Sequence, residues 1–340
     1  MLTAVRYRVV SCGSQFDETR NISWFRILNY LVIISTAFIV CIGLVSNILL
    51  ITIVFKSLLK KSLIYQSLLW IAVADNLRFL SVSFDFSIHF LETMISGINV
   101  QTLYVLSFIH GVAVPLQDSV LNSRKYIMAI LSIVQLIMVV KPMTKINIKL
   151  LNSLYGVIYL VNTVLVVPTY YLFTAELCIE EGKFIFKADT KEGFWTYRVS
   201  MEVYIHTIIT WAIIGTVSFA LVRAINTRNR KKVEMKVESL SITKSILKMN
   251  VVFVFCNIPQ IVFGVLFNTG YQPGFPVSVR NLILNSAIVI SCLNCSLNFF
   301  IYYTSDKRFH NGCRWILCNE KDSRNSKIYS IKFSKSIQET

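Results

Sequence analysis

The chain has 340 residues, 54% hydrophobic and 15% charged, with a mean hydropathy of +0.59. A soluble domain carries about 25% charged residues; this composition excludes a water-soluble globule, and it also excludes disorder, collagen (Gly 12, Pro 6) and a disulfide scaffold (Cys 8), leaving a polytopic membrane protein. The 34 Lys and Arg against 18 Asp and Glu give +16, which means either nucleic acid or basic cytoplasmic loops, according to where the basic residues lie.

A helix crosses the hydrocarbon layer with about 20 apolar residues. Residues 1–26 contain four arginines and no apolar run of signal-peptide length, so the first span itself directs insertion. Between Arg26 and Lys56 lie 29 residues without Asp, Glu, Lys or Arg. Residues 62–88 are apolar but carry Asp75, Arg78 and Asp85. Residues 93–106 are only moderately apolar and read as a loop running into a long helix. The next apolar stretch, 107–140, carries Asp118, Arg124 and Lys125.

Lys149 to Glu176 encloses 26 uncharged residues and predicts a fourth span. The loop 174–200 contains KFIFK, an alternating pattern that suits a strand in a hairpin lid. Uncharged runs of 20, 31 and 25 residues follow, bounded by Glu202, Arg223, Lys248, Arg280 and Asp306. Residues 306–318 alternate basic and apolar at helical spacing and predict an amphipathic helix on the membrane surface. Residues 319–340 are polar and read as a disordered tail. The expected fold is therefore an all-α bundle of seven transmembrane helices over 27–305.

In this arrangement 22 of the 34 basic residues fall on one face and nine on the other. The N-terminus is then outside and the C-terminus inside, and nucleic acid is not needed to explain the +16. Asn21-Ile22-Ser23 is a glycosylation sequon in the outer segment. Asn294-Cys295-Ser296 also matches, but within a span. Cys178 and Cys12 both fall outside, where a disulfide is permitted, although sequence does not fix the partner. Cys313 and Cys318 follow the last span and are candidates for palmitoylation. The four histidines lack metal-ligand spacing, and no nucleotide-binding or hydrolase motif occurs. Neither an enzyme, a metal site nor a cofactor is expected.

Several motifs now align with a family. Asn47 lies in GLVSNILLITIVF, Asp75 in SLLWIAVADNL, Cys256, Asn257 and Pro259 in FCNIP, and Asn294, Asn298 and Tyr302 in NCSLNFFIY. Their order across seven spans resembles the rhodopsin-like G-protein-coupled receptors. RKYIMAILSIVQLIMVVKPM, ALVRAINTRNRKK and NFFIYYTSDKRF look like one branch, the nematode serpentine chemoreceptors of the Srw type. The resemblance covers about residues 27–315. It implies a plasma-membrane receptor, in a sensory cilium for example, that binds an extracellular small molecule or peptide and activates a heterotrimeric G protein. It also implies a sodium or water site at Asp75, shared with Asn47, Asn294 and Asn298.

The chain departs from the family at defined places. The family's Asp-Arg-Tyr falls on Val134, Gln135 and Leu136, and its helix-three cysteine on His110. Its helix-six tryptophan is Asn257 and its helix-seven proline is Phe299. Its helix-five proline is missing, with Thr210 near that place. These departures favour a fast-diverging chemoreceptor over a conserved hormone receptor.

The charges inside spans are the principal candidates. A carboxylate in hydrocarbon must be paired or hydrated, so Asp75 either centres a polar network or forms an i,i+3 pair with Arg78. Asp85, Gln117, Asp118 and Asn122 lie where an outer ligand pocket opens; alternatively, Asp118 pairs with Arg124, Lys125 or Arg78. Pro259 is either a hinge or an inherited kink. The stretch 223–248 suits a G-protein docking face and also suits topology and anionic lipid. A transporter or channel is the rival reading, since the same charges could line a pathway, but internal repeats are missing. A receptor with degenerate coupling is the third, motivated by Gln135.

Overall fold

A computed structural model describes residues 9–11, 23–57, 59, 62–94, 100–142, 144, 146–180, 183–190, 205–230, 237–268 and 277–317. The helices are α1 (Ser23–Lys56), α2 (Leu63–Met94), α3 (Val100–Val140), α4 (Ile148–Leu172), α5 (Ile209–Arg230), α6 (Val237–Asn268), α7 (Val277–Ser305) and α8 (Lys307–Leu317). The first seven are long and apolar enough to cross a membrane. The chain is a multi-pass membrane protein. α3 begins at Val100, inside the stretch 93–106 read as a loop running into a long helix, and its membrane-length segment is Leu116–Val140.

The all-α expectation omitted a small sheet. β1 (Val9–Ser11) pairs in parallel with β2 (Phe173–Glu180), which pairs antiparallel with β3 (Lys183–Thr190). KFIFK opens β3, as its alternation suggested, and Phe184 lies opposite Ile179. The sheet caps the end of the bundle where α4 finishes.

Burial is inverted relative to a water-soluble protein. Ile34, Phe38, Leu150, Phe219 and Phe255 are all more than 60% exposed, whereas Asp75, Arg78 and Arg124 are fully buried. Only a hydrocarbon solvent makes that arrangement favourable. The larger apolar cluster joins Ile53, Tyr65, Leu131, Tyr155, Phe253 and Phe309. A smaller one joins Val40, Phe79, Val82 and the two thiols Cys292 and Cys295.

Close approach of α1 depends on Gly43. A Cβ there would overlap the tip of the Phe79 ring and lie 2.7 Å from Ser296 Oγ. Phe79 is fully buried and has nowhere to turn. Gly43→Ala is expected to destabilise the bundle by about 1–3 kcal/mol through overpacking, read as a lower midpoint of thermal unfolding in detergent.

A π-helical turn at 205–208 leads into α5. The Thr210 hydroxyl donates to the His206 carbonyl and to that of Thr207 at 3.1 Å. The irregular start of span five is thus stabilised by a threonine hydroxyl. It lies near the position where the resembled family carries a proline.

α8 is held by a buried junction. The Tyr65 hydroxyl donates to Asp306 Oδ2, and Asp306 Oδ1 accepts from the Arg308 backbone N–H at 2.9 Å. Asp306 is the N-cap of α8, satisfying one of its free amides. Phe309 stacks on Tyr65 with centroids 6.5 Å apart, and meets Tyr302 edge-on at 6.1 Å. Tyr65→Phe would leave the carboxylate short of one donor. It is expected to cost about 1–3 kcal/mol, with faster amide exchange in α8 than in α7.

Cys313 is turned into this junction and is 1% exposed. Burial raises its thiol to about 11, so the nucleophilic thiolate is scarce at neutral pH. Palmitoylation expected at Cys313 therefore has neither room nor a reactive sulfur in this conformation. Cys318 lies outside the described residues.

Candidate functional site

The centre of the bundle holds an ion pair. Asp75 on α2 pairs through Oδ1 with Arg124 Nε on α3, both fully buried. The other oxygen of Asp75 accepts from Asn298 Nδ2 on α7 at 2.8 Å. With its amide oxygen turned toward α3, Asn294 accepts from Arg124 Nη1 at 2.8 Å and Nη2 at 3.2 Å. The guanidinium also lies over the Phe253 ring of α6, 5.6 Å from its centroid, a favourable cation–π geometry. A single arginine thereby touches three other helices.

Arg78 is not the partner of Asp75, contrary to the i,i+3 alternative. It is directed at α7, where Nη2 donates to Ser291 Oγ at 2.8 Å and Nη1 reaches the Ser291 carbonyl and Cys295 Sγ, both at 3.4 Å. Ser291 Oγ in turn donates to Asn257 Oδ1 on α6 at 2.8 Å. Asn257 Nδ2 returns to its own helix at the Phe253 carbonyl, 2.6 Å away. Asn257 stands two residues before Pro259, whose missing N–H weakens α6 at that turn. A continuous polar chain thus runs from Arg78 through α7 to the proline turn of α6.

Two residues expected in this network are buried near it without joining it. Asn47 on α1 is fully buried, yet its amide makes no hydrogen bond. Tyr302 belongs to the aromatic junction under α8, and its hydroxyl is likewise unpaired.

Toward the sheet end of α3, Asp118 and Asn122 are buried and Gln117 is half-buried. Arg124 is committed to Asp75, so it is not the partner of Asp118. Lys125 Nζ donates to Asn122 Oδ1 at 3.1 Å and to Thr207 Oγ1, beside the π turn, at 2.8 Å. Tyr126 OH meets His206 Nδ1 at 3.0 Å. Polar contacts therefore join α3 to the π turn that leads into α5 at this level. The Asp85 side chain lies outside the described residues, as do Asn21 and Cys12. Cys178 sits in β2 opposite Val10.

At the other end, Gln135 Nε2 on α3 donates to Thr243 Oγ1 on α6 at 2.6 Å. Both side chains are buried. Lys248 Nζ donates to Ser305 Oγ at 2.8 Å, and Ser241 Oγ to the Ser305 carbonyl, tying α6 to α7. Between the two ends, Asn250 on α6 joins Ser132 of α3 and Ser218 of α5 at 3.0 and 2.9 Å.

Ser291, Thr207, Thr243 and Asn250 were not singled out from the sequence. Their signal was available in part. Ser291, Asn294, Asn298 and Tyr302 recur at intervals of three and four, which places them on one face of a helix. Among the described residues no group of three or more His, Cys, Asp or Glu side chains is placed to hold a metal ion. No protein-family model matches the chain, and no curated protein matches it significantly.

Proposed function

We propose that this protein is a plasma-membrane receptor that binds an extracellular small molecule or peptide and activates a heterotrimeric G protein, as the chemoreceptor resemblance implies. The observation that carries the reading is the pair of polar contacts on α6. One joins it to Arg78 beside Pro259, through Asn257 and Ser291, and the other joins it to α3 through Gln135 and Thr243. The sheet end faces outward and the basic end faces the cytoplasm, in accord with the distribution of Lys and Arg.

Ligand enters from the sheet end and contacts Gln117, Asp118 and Asn122, with Asp85 on α2 contributing. It binds an open bundle more tightly than a closed one, and so shifts the population. α6 then bends at Pro259, and the Gln135–Thr243 contact parts. The basic 223–248 segment and the opened end of α3 receive the G protein.

The transporter reading requires the buried charges to line a pathway. Instead, Asp75, Arg78 and Arg124 are joined to one another or to neighbouring side chains, which favours a locked bundle. The test is nucleotide exchange on a panel of G proteins in cells expressing the chain, challenged with small-molecule and peptide libraries. Ligand-dependent exchange is expected, weakened in Asp75→Ala. Ion current or solute uptake without exchange would refute the receptor reading, and mapping the N-terminus to the cytoplasm would refute the orientation.

A further inference from the structure

Asp75 resembles, by position, a carboxylate expected to bind sodium or water together with Asn47, Asn294 and Asn298. The residues around it do not fit a metal cation. One carboxylate oxygen is taken by Arg124 Nε and the other accepts from Asn298 Nδ2. Asn294 satisfies the two terminal nitrogens of Arg124 with its amide oxygen turned toward them; Asn47 Oδ1 and Asn298 Oδ1 are buried and unpaired, so positive charge, not a lack of neutral oxygens, is what opposes an ion here. Arg78 adds a second guanidinium one helical turn from Asp75 on α2, fully buried and bonded only to neutral groups of α7. One guanidinium therefore binds the carboxylate and a second lies within electrostatic reach of it. A sodium ion placed there would displace a charge-assisted bond and meet repulsion from both arginines in a low-dielectric interior.

We infer that Arg124 is the resident counter-ion of Asp75, a cation built into α3, and that this bundle binds no inorganic cation at its centre. The covalent attachment has a consequence. A free ion can leave when helices rearrange, whereas Arg124 moves only with α3. The α2–α3 contact therefore stays charge-neutralised whatever the salt outside.

The test is thermal unfolding of the purified full chain in detergent, in about 0.15 M sodium, potassium or choline chloride. This readout does not depend on signalling, so it can fail or succeed separately from the receptor reading. The midpoint is expected to be the same in all three salts. A sodium-specific rise of several degrees, the size produced by a ligand at about 100 times its Kd, would overturn the inference if Asp75→Asn abolished it. In the double variant Arg78→Ala, Arg124→Ser both guanidinium groups are gone, and a sodium-specific rise is expected to appear. A folded double variant that ignores sodium would also overturn the claim that the arginines exclude the ion. If the double variant does not fold, the wild-type comparison decides alone.

Discussion

Arg124→Ala is expected to unfold a large fraction of the protein. The substitution leaves Asp75 ionised and buried without its counter-ion, and breaking one side of such a pair costs about 3–5 kcal/mol. That is a sizeable part of the roughly 5–15 kcal/mol that holds a typical domain together. It also frees the acceptor on Asn294 and removes the contact with Phe253. Asp75→Ala strands the opposite charge and is expected to cost as much. Replacing both residues with leucine removes both desolvation penalties, so the double variant is expected to be more stable than either single one. The measurement is a double-mutant cycle on the unfolding midpoint in detergent. Additive losses would mean that the two charges are solvated independently and that the bundle centre is hydrated.

The second large effect concerns the contact between α3 and α6. Thr243→Val keeps the shape of the side chain and removes the hydroxyl that Gln135 uses. A buried hydrogen bond of this kind is worth about 1 kcal/mol net. If the closed bundle loses that much relative to the open one, the open population rises about fivefold. On the proposed receptor reading, basal G-protein activation is therefore expected to rise about fivefold, with little change in the amount of the protein at the surface. A charged pair at this place would hold the bundle shut more firmly. On the proposed receptor reading, the neutral amide of Gln135 is a weaker latch than such a pair.

The seven spans were legible because hydrocarbon demands long uncharged runs, and the intervals between charges measure them directly. α8 was legible from its basic and apolar alternation, and KFIFK from its period of two. What the sequence left open is partner choice. Asp75 had Arg78 one turn away on its own helix, so spacing allowed a local pair beside the polar network with α1 and α7, and it did not single out Arg124. Tertiary packing decides it: α3 lies against α2 and supplies Arg124, and Arg78 finds Ser291 and Cys295 on α7. The burial of Cys313 was not legible for a similar reason. A cysteine on an amphipathic helix can face lipid or protein, and only the register of α8 against Ile53 and Tyr65 decides. The start of α5 was illegible because a threonine, not a proline, accompanies the irregular turn.

Parting of α3 from α6 at the basic end is the step proposed to turn the protein on. Its most direct test is nucleotide exchange, without ligand, in membranes containing the wild-type chain or Thr243→Val and a panel of heterotrimeric G proteins. Exchange above that of membranes without the protein is expected for at least one G protein, higher in the variant by about fivefold. Equal exchange in variant, wild type and receptor-free membranes for every G protein, with the variant folded and present in equal amount, would contradict it.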